Sequence, residues 1–174
     1  MNYGEIKLND IANGEGVRTS LFVSGCRHHC KNCFNHQTWD FGFGEAFTEN
    51  TMKEIFDSVE PTWVNGLSLL GGEPFEPENQ KVLLPFLIMF KERFPKKTIW
   101  CYSGFTYEEI IGKVESRAHT NISEEMLSLI DILVDGRFVE EKKDISLVFR
   151  GSSNQRVIDV QKTLEAGEIV LHIE

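Results

Sequence analysis

The chain has 174 residues and a net charge of −9, from 18 basic against 27 acidic residues, and 41% of its residues are hydrophobic. This length predicts a single domain, residues 1–174, with one substantial core, and the acidic balance argues against a protein that binds nucleic-acid phosphates. The longest apolar run, Val82 to Phe90, has nine residues and is too short to cross a bilayer. The first residues lack a basic region followed by an apolar stretch, so we expect no signal peptide. We therefore expect a cytoplasmic protein with reduced thiols and no membrane partner.

The first predicted element is a pair of strands, Tyr3 to Ile11 and Val17 to Ser24, joined by Asn13-Gly14-Glu15-Gly16. The glycines of that connection allow the positive backbone angles that a tight turn needs. The second strand runs directly into a cysteine-rich loop. The C-terminal end of a strand is where parallel α/β proteins commonly carry out their chemistry.

That loop holds three of the four cysteines, Cys26, Cys30 and Cys33, in a C-x3-C-x2-C pattern. Three thiolates this close can bind one inorganic centre, whereas closed zinc and iron–sulfur sites normally take four protein ligands. The pattern therefore predicts a metal site with one position open to another molecule. On spacing alone, a structural zinc site closed by a histidine remains the alternative, and the candidate histidines are His28, His29 and His36.

After the cysteine loop, helices and strands alternate. A helix is predicted over Glu49 to Val59, with Thr48 as its cap, and a strand over Gly66 to Leu70. A second helix, Asn79 to Phe94, contains Pro85, which should kink the helix or mark its true start. The later predicted elements are a strand Thr98 to Tyr102, helices Tyr107 to Lys113 and Ser123 to Leu129, a strand Ile132 to Val134, a short helix ending at Ala166, and a strand Ile169 to Ile173.

Four strands that alternate with helices after the hairpin indicate an α/β fold with a right-handed parallel sheet. The units are too few for a closed eight-stranded barrel, so we expect a partial, open parallel (β/α) barrel with an N-terminal hairpin. Its loops should gather on one face, where polar or glycine-rich turns follow successive strands: Gly71-Gly72-Glu73, Ser103-Gly104 and Asp135-Gly136-Arg137. With an open metal centre, these turns predict a site for a small zwitterionic cofactor whose ammonium group Glu73 would bind.

These motifs resemble those of the radical S-adenosylmethionine enzymes, which place C-x3-C-x2-C after a first strand and G-G-E after the next. Within that superfamily, Asn13-Gly14-Glu15-Gly16-Val17-Arg18 is similar to the N-terminal motif of the glycyl-radical-enzyme activases. The resemblance covers most of the chain. Further segments that carry it are Cys33-Phe34-Asn35, Tyr102-Ser103-Gly104-Phe105, Val134-Asp135-Gly136-Arg137-Phe138 and the run from Phe149 to Arg156.

The resemblance implies a 4Fe-4S cluster held by Cys26, Cys30 and Cys33, with S-adenosylmethionine chelated by the iron that lacks a cysteine. One electron passed to the sulfonium would release a 5′-deoxyadenosyl radical, which would take a hydrogen atom from a glycine of a protein partner. Many members carry an aromatic residue just before the third cysteine, where this chain has Asn32. The resemblance implies that the backbone from Asn32 through Cys33 to Phe34 contacts the adenine. It also implies that Gly71, Gly72 and Glu73 hold the methionine end of the cofactor, with Ser103 and Asp135 as further contacts.

The short chain favours activases whose partner is the large subunit of an anaerobic ribonucleotide reductase, with a flavodoxin-type protein as the one-electron donor. Two alternatives stay open: an activase of another glycyl radical enzyme, and a zinc-knuckle interaction module without catalysis. Gly71-Gly72-Glu73 favours the enzyme, because a zinc module has no reason to place that turn at a strand end. The fourth cysteine, Cys101, falls inside a predicted strand and is expected to be buried and structural.

Overall fold

The computed structural model describes residues Met1–Glu174, and its strands form one eight-stranded sheet. In chain order the strands are β1 (Asn2–Asp10), β2 (Val17–Val23), β3 (Glu45–Ala46), β4 (Val64–Gly71), β5 (Thr98–Tyr102), β6 (Ile132–Asp135), β7 (Arg156–Asp159) and β8 (Leu171–Ile173). Across the sheet their order is β3-β1-β2-β4-β5-β6-β7-β8.

Five α-helices accompany the sheet: α1 (Glu49–Val59), α2 (Pro77–Arg93), α3 (Tyr107–Ile110), α4 (Ser123–Ser128) and α5 (Val160–Ala166). Helix α1 has the predicted bounds, and the Thr48 hydroxyl accepts a hydrogen bond from the Thr51 amide, so its predicted cap is confirmed. Helix α2 begins at Pro77, a first helical position at which a proline loses no helical hydrogen bond. Pro85 therefore does not mark the start of the helix but lies within it, on the exposed side. None of the helices combines the length and the apolar character that crossing a membrane requires.

The centre of the sheet is parallel, because β2, β4, β5 and β6 are neighbours that run in one direction. Strand β1 pairs antiparallel with β2, which confirms the predicted hairpin. At the other edge, β7 runs antiparallel to β6, and β8 runs antiparallel to β7. The fold is therefore α/β with an open, mixed sheet, and the expectation that the strands after the hairpin are all parallel is wrong at this edge.

The connections in the last third of the chain explain the antiparallel edge. Strand β7 was not predicted, and no α-helix lies between β6 and β7 to carry the chain back for a parallel return. Only residues 160–170 join β7 to β8. A parallel crossover takes about a dozen residues or more, so the chain turns back instead.

The helices cover one face of the sheet, where 28 buried residues form the main core. Because side chains alternate along a strand, Cys101 of β5 and Leu133 of β6 join that core. Their neighbours Trp100 and Val134 belong to a cluster of four buried residues on the opposite face. Cys101 has no exposed surface, which confirms that it is a buried cysteine.

Candidate functional site

A cavity of about 450 Å³ opens at the C-terminal ends of the parallel strands. Its wall includes the cysteine loop after β2, the turn Gly71 to Glu73 after β4, the segment Tyr102 to Gly104 after β5, and Val134 with Gly136 at the end of β6. The turns that were predicted to gather on one face therefore do meet there. The edge beyond the carboxyl ends of parallel strands is the usual ligand site of open α/β sheets.

All three cysteines of the loop, Cys26, Cys30 and Cys33, line this cavity, and none forms a disulfide. Cys26 is buried, and the other two are half-buried. The Cys33 amide donates to the Cys30 carbonyl at 3.2 Å, so one tight turn sets the spacing of these two thiols. Three thiols on the wall of a cavity of this size fit a 4Fe-4S cluster that leaves one iron without a cysteine.

The start of the cysteine loop packs closely against the segment that follows the loop. The Gly25 amide donates to the Thr38 carbonyl at 2.7 Å, and the Cys26 amide donates to the Trp39 carbonyl at 3.1 Å. Gly25 has a φ of +102°, and a Cβ there would lie 2.3 Å from a ring carbon of Phe41. Only glycine satisfies both conditions, so this residue determines the direction in which the loop leaves β2.

The surroundings of Cys26 and Cys30 disfavour free thiolates. Burial raises the pKa of the Cys26 thiol to about 12, and the neighbouring Glu73 carboxylate acts in the same direction. Burial also raises the pKa of Cys30, with the nearby Cys33 as the next cause. A bound metal reverses this preference, because its charge deprotonates a coordinating thiol outright. The surroundings of these two cysteines therefore do not suit a free nucleophile.

His28, one of the three histidines considered for zinc, uses both ring nitrogens within the protein. Its Nε2 lies 3.0 Å from Oε2 of Glu73, and its Nδ1 accepts a hydrogen bond from Nε of Arg137 at 3.1 Å. This pair of contacts places the ring proton on Nε2, since Nδ1 is an acceptor. Neither nitrogen is left to bind zinc.

The other two histidines pack against one tryptophan. His29 stacks on Trp39 with ring centroids 4.4 Å apart, and His36 meets the edge of the same ring at 6.5 Å. No group of three or more His, Cys, Asp or Glu side chains surrounds a single-ion position. These contacts weaken the zinc-knuckle alternative.

The carboxylate of Glu73 is buried, and donors of its own chain surround it. Oε1 accepts from the Phe75 amide and the Ser103 hydroxyl, both at 2.8 Å. Oε2 accepts from the Gly104 amide at 2.7 Å and lies 3.0 Å from Nε2 of His28. A carboxylate offers about four lone-pair positions, so these bonds occupy it. In the structure, Glu73 thus joins the cysteine loop to the turn after β5. The sequence predicted instead that its carboxylate contacts an ammonium group directly.

The glycine pair Gly71-Gly72 lines the cavity and also lies against the cysteine loop. The Gly72 amide donates to the Val23 carbonyl at 2.7 Å, and the Glu73 amide donates to the Gly25 carbonyl at 2.8 Å. A Cβ on Gly72 would lie 2.7 Å from that Gly25 oxygen, and Gly71 has a φ of +100°. The two glycines therefore allow two backbone segments to pack together at the edge of the site.

The remaining predicted residues divide into two groups. Ser103 and Phe34 line the cavity, whereas Asn32 and Asp135 do not. Asn32 is exposed, with a left-handed φ of +58°. Asp135 is buried, and both of its carboxylate oxygens accept hydrogen bonds from the Arg156 guanidinium. The structure therefore does not bring Asp135 into the cavity wall, although it directly follows the lining residue Val134 in β6.

Sequence reasoning missed a second buried carboxylate beside the loop. Glu76 has no exposed surface and binds both Arg27, which follows the first cysteine, and Arg117. The partners are distant in sequence, so no local pattern indicates them. Arg150 and Gln155 also line the cavity and were not predicted as site residues, although both lie in a segment that the sequence resemblance singled out.

Comparison with known proteins agrees with this arrangement. The family model of the 4Fe-4S single cluster domain matches residues 12–158, so the chain belongs to the class of proteins that carry such a domain. The chain is 42% identical over 157 residues to the anaerobic ribonucleoside-triphosphate reductase-activating protein of Pasteurella multocida (strain Pm70). The aligned residues cover 89% of this chain and 95% of that relative. The chain is 38% identical to the protein of the same name from Escherichia coli (strain K12), with 90% and 97% covered.

A phage relative extends the comparison. The activating protein of Enterobacteria phage T4, which has the same name, is 37% identical over 90% of this chain and 93% of its own length. Identity at this level over nearly the whole length of several proteins shows a common family. The chain belongs to the family of anaerobic ribonucleoside-triphosphate reductase-activating proteins.

Proposed function

We propose that this protein is an activating enzyme that reductively cleaves S-adenosylmethionine at a 4Fe-4S cluster and forms a glycyl radical on the large subunit of an anaerobic ribonucleotide reductase. The observation that carries the proposal is the placement of three cysteine thiols on one cavity at the ends of parallel strands. The names of relatives that are 37–42% identical to this chain support the choice of partner.

Cys26, Cys30 and Cys33 are the proposed cluster ligands, since they share the cavity wall and no disulfide competes for them. When bound, the cluster would supply the electron that cleaves the cofactor, and a flavodoxin-type protein is the proposed source of that electron. The chain's own share of the work is to hold the three thiols, to bind the cofactor and to keep water away from the reacting atoms.

The cavity wall suggests how the chain would bind the cofactor. We assign the methionine end to the backbone of Gly71 and Gly72, because glycines let a ligand approach the main chain closely. Phe34, exposed at the wall, and the backbone from Asn32 to Cys33 are assigned to the adenine side. Glu73 and Ser103 also lie in the cavity wall, where a 2.8 Å hydrogen bond joins them and would fix the turns after β4 and β5 around the cofactor. Asp135 lies outside the wall and would act through its pair with Arg156, which holds the end of β6.

We further infer that the open sheet is the partial (β/α) barrel of the radical S-adenosylmethionine type and that residues 1–174 act as one domain. The parallel centre of the sheet and the cavity at its carboxyl edge support this inference. All four cysteines are free, which supports a reducing compartment and hence the cytoplasm.

The decisive experiment is to measure iron, sulfide and zinc after anaerobic purification, with electron paramagnetic resonance spectra of the reduced protein before and after S-adenosylmethionine is added. We expect about four irons and four sulfides per chain, a spectrum that changes with the cofactor, and a glycyl radical signal once the reductase is added. Stoichiometric zinc without a cofactor response would refute the proposal in favour of a zinc knuckle. A radical formed only on a different glycyl radical enzyme would correct the partner.

A further inference from the structure

A buried carboxylate binds the cysteine loop directly beside its first thiol. The backbone amide of Arg27, the residue after Cys26, donates to Oε1 of Glu76 at 2.8 Å. The guanidinium of the same arginine donates to Oε2 of Glu76 at 2.7 Å. One carboxylate therefore holds both the main chain and the side chain of a single loop residue.

Glu76 is in turn held from the opposite side. The guanidinium of Arg117 lies 3.0 Å from Oε1, through Nη2, and 3.1 Å from Oε2, through Nε. The Arg117 guanidinium also lies over the Phe105 ring, 4.7 Å from its centroid. Charged hydrogen bonds from two arginines compensate for the burial of the Glu76 anion, so its position is well defined.

The side chain of Glu76 makes no hydrogen bond within its own helix. It occupies the N-cap position of α2, yet it makes no capping bond with the first turn. An N-cap side chain usually accepts from an amide of its own helix. Here the carboxylate turns away from the helix and binds the loop, so its contacts serve the position of the cysteine loop.

Arg27 also makes an exposed ion pair, which can be compared with its buried bonds to Glu76. Its guanidinium also pairs with Glu78, whose side chain is 50% exposed, and lies over the Phe41 ring, 4.4 Å from its centroid. Exposed ion pairs contribute little because water screens them. The buried bonds to Glu76 are therefore the ones expected to restrain the loop.

We propose that Glu76 is a positioning residue that, through Arg27, holds Cys26 in the cavity wall and so prepares the loop to take up its cluster. The metal-bound part of this inference rests on the proposed function, whereas the restraint on the loop belongs to the chain itself. Residues that orient metal ligands from behind affect metal binding by about 10- to 100-fold when changed.

The restraint is tested first on the metal-free chain. A maleimide is reacted with the protein under anaerobic conditions, and mass spectrometry follows each cysteine separately. In Glu76→Gln we expect Cys26 to be labelled about tenfold faster than in the unchanged chain, since the freed loop opens more often. Loss of the Glu76 charge would by itself also favour the Cys26 thiolate, so Arg27→Met is measured beside it. Loss of the arginine cation cannot favour the thiolate, so faster labelling in Arg27→Met reports loop opening alone. Cys101 should stay unlabelled and so report that the core is intact. Glu78→Gln, which removes only the exposed pair, is the matched control and should label at the unchanged rate.

An unchanged Cys26 rate in Glu76→Gln, with Cys101 still protected, would overturn the proposal. If Cys101 becomes labelled, the variant has lost its fold, and Arg27→Met then decides, because it removes the guanidinium at a half-exposed position. A several-fold faster reaction of Cys26 in Arg27→Met supports the proposal, and an unchanged rate overturns it.

The second measurement uses the cluster-loaded protein and a chelator, with iron release followed by absorbance. We expect Glu76→Gln to release iron about tenfold faster than the unchanged chain and Glu78→Gln to match the unchanged chain. Equal release from all three proteins would contradict the positioning role. A wild-type chain that takes up no cluster would instead refute the proposed function, and the maleimide experiment would still decide whether Glu76 restrains the loop.

Discussion

The four cysteines occupy two different environments. Cys26, Cys30 and Cys33 face one cavity, whereas Cys101 lies in β5 with no exposed surface. Replacing any one of the first three with alanine removes a proposed cluster ligand, and we expect S-adenosylmethionine cleavage to fall by at least about 100-fold. Release of 5′-deoxyadenosine by the anaerobically reconstituted variants, measured by chromatography beside their iron content, checks this expectation.

Cys101→Ala is the matched control for these variants. It should retain cleavage within about twofold, and it should lower the free energy of unfolding on the order of 1 kcal/mol, because it removes one buried sulfur from a packed core. Lost cleavage in Cys101→Ala with normal iron content and a normal fold would show that this thiol has a role that its position in the core does not suggest.

At the scale of an element, the turn after β4 makes a sharp prediction. Gly72→Ala would place a methyl group 2.7 Å from the Gly25 carbonyl oxygen, which is backbone and has little room to move. We expect the turn and the cysteine loop to separate, with a loss of about 1–3 kcal/mol in stability and a several-fold lower iron content. Urea unfolding and iron analysis measure the two effects.

Gly42→Ala is the control for that turn. It lies in the segment after the cysteine loop, and its added Cβ would make only an ordinary contact, 3.4 Å from Asp40. The control should match the unchanged chain in stability and iron content. Equal iron content in both variants would mean that close packing of the turn against the loop does not help to shape the site.

Elements whose signals are local were predictable from the sequence. Helix α1 has the predicted bounds because Thr48 and Pro61 mark its two ends, and β5 also has its predicted bounds. Strand β7 was missed, since its four residues follow a polar loop and its pairing depends on β6, which lies twenty residues earlier. Helix α3 ends at Ile110, before the predicted Lys113, and Gly112 takes a left-handed φ of +77° just beyond it.

The site likewise has features with local signals, which the sequence predicts, and features that depend on distant residues, which it does not. The three cysteines fall within one loop, so their spacing alone indicated a shared centre. The partners of Glu73 lie at sequence separations of up to 45 residues, and those of Glu76 at up to 49. Contacts of this range arise only when the sheet brings strand ends together, so the sequence indicated that Glu73 belongs to the site but not which groups of its own chain it binds.

At the scale of the whole molecule, paired carboxylates make stability depend on pH. Hydrogen bonds from Arg156 lower the pKa of Glu108 below its ordinary value of 4.5. As the pH falls, the unfolded chain therefore takes up this proton first. The stabilisation is therefore fully present above about pH 4.5 and is lost as the pH approaches the folded-state value.

We therefore expect the urea midpoint of the metal-free chain to decrease between pH 5 and pH 3. The variant Glu108→Gln should show a shallower decrease over the same interval, because it has lost this carboxyl group. An identical pH profile for the variant and the unchanged chain would show that the Arg156–Glu108 pair does not contribute to acid sensitivity.

The long-range bonds of the cysteine loop also have a consequence for how the protein is made. Arg27 binds a carboxylate 49 residues further along the chain. A ribosome adds about 5–20 residues per second, so the three thiols leave it roughly 2–10 seconds before Glu76 follows. During that interval they lie together on an unfinished segment, open to oxidation and to pairing with one another. If the cluster forms as proposed, we expect stable uptake of iron and sulfide only after α2 has docked, because only then does Glu76 hold the start of the loop.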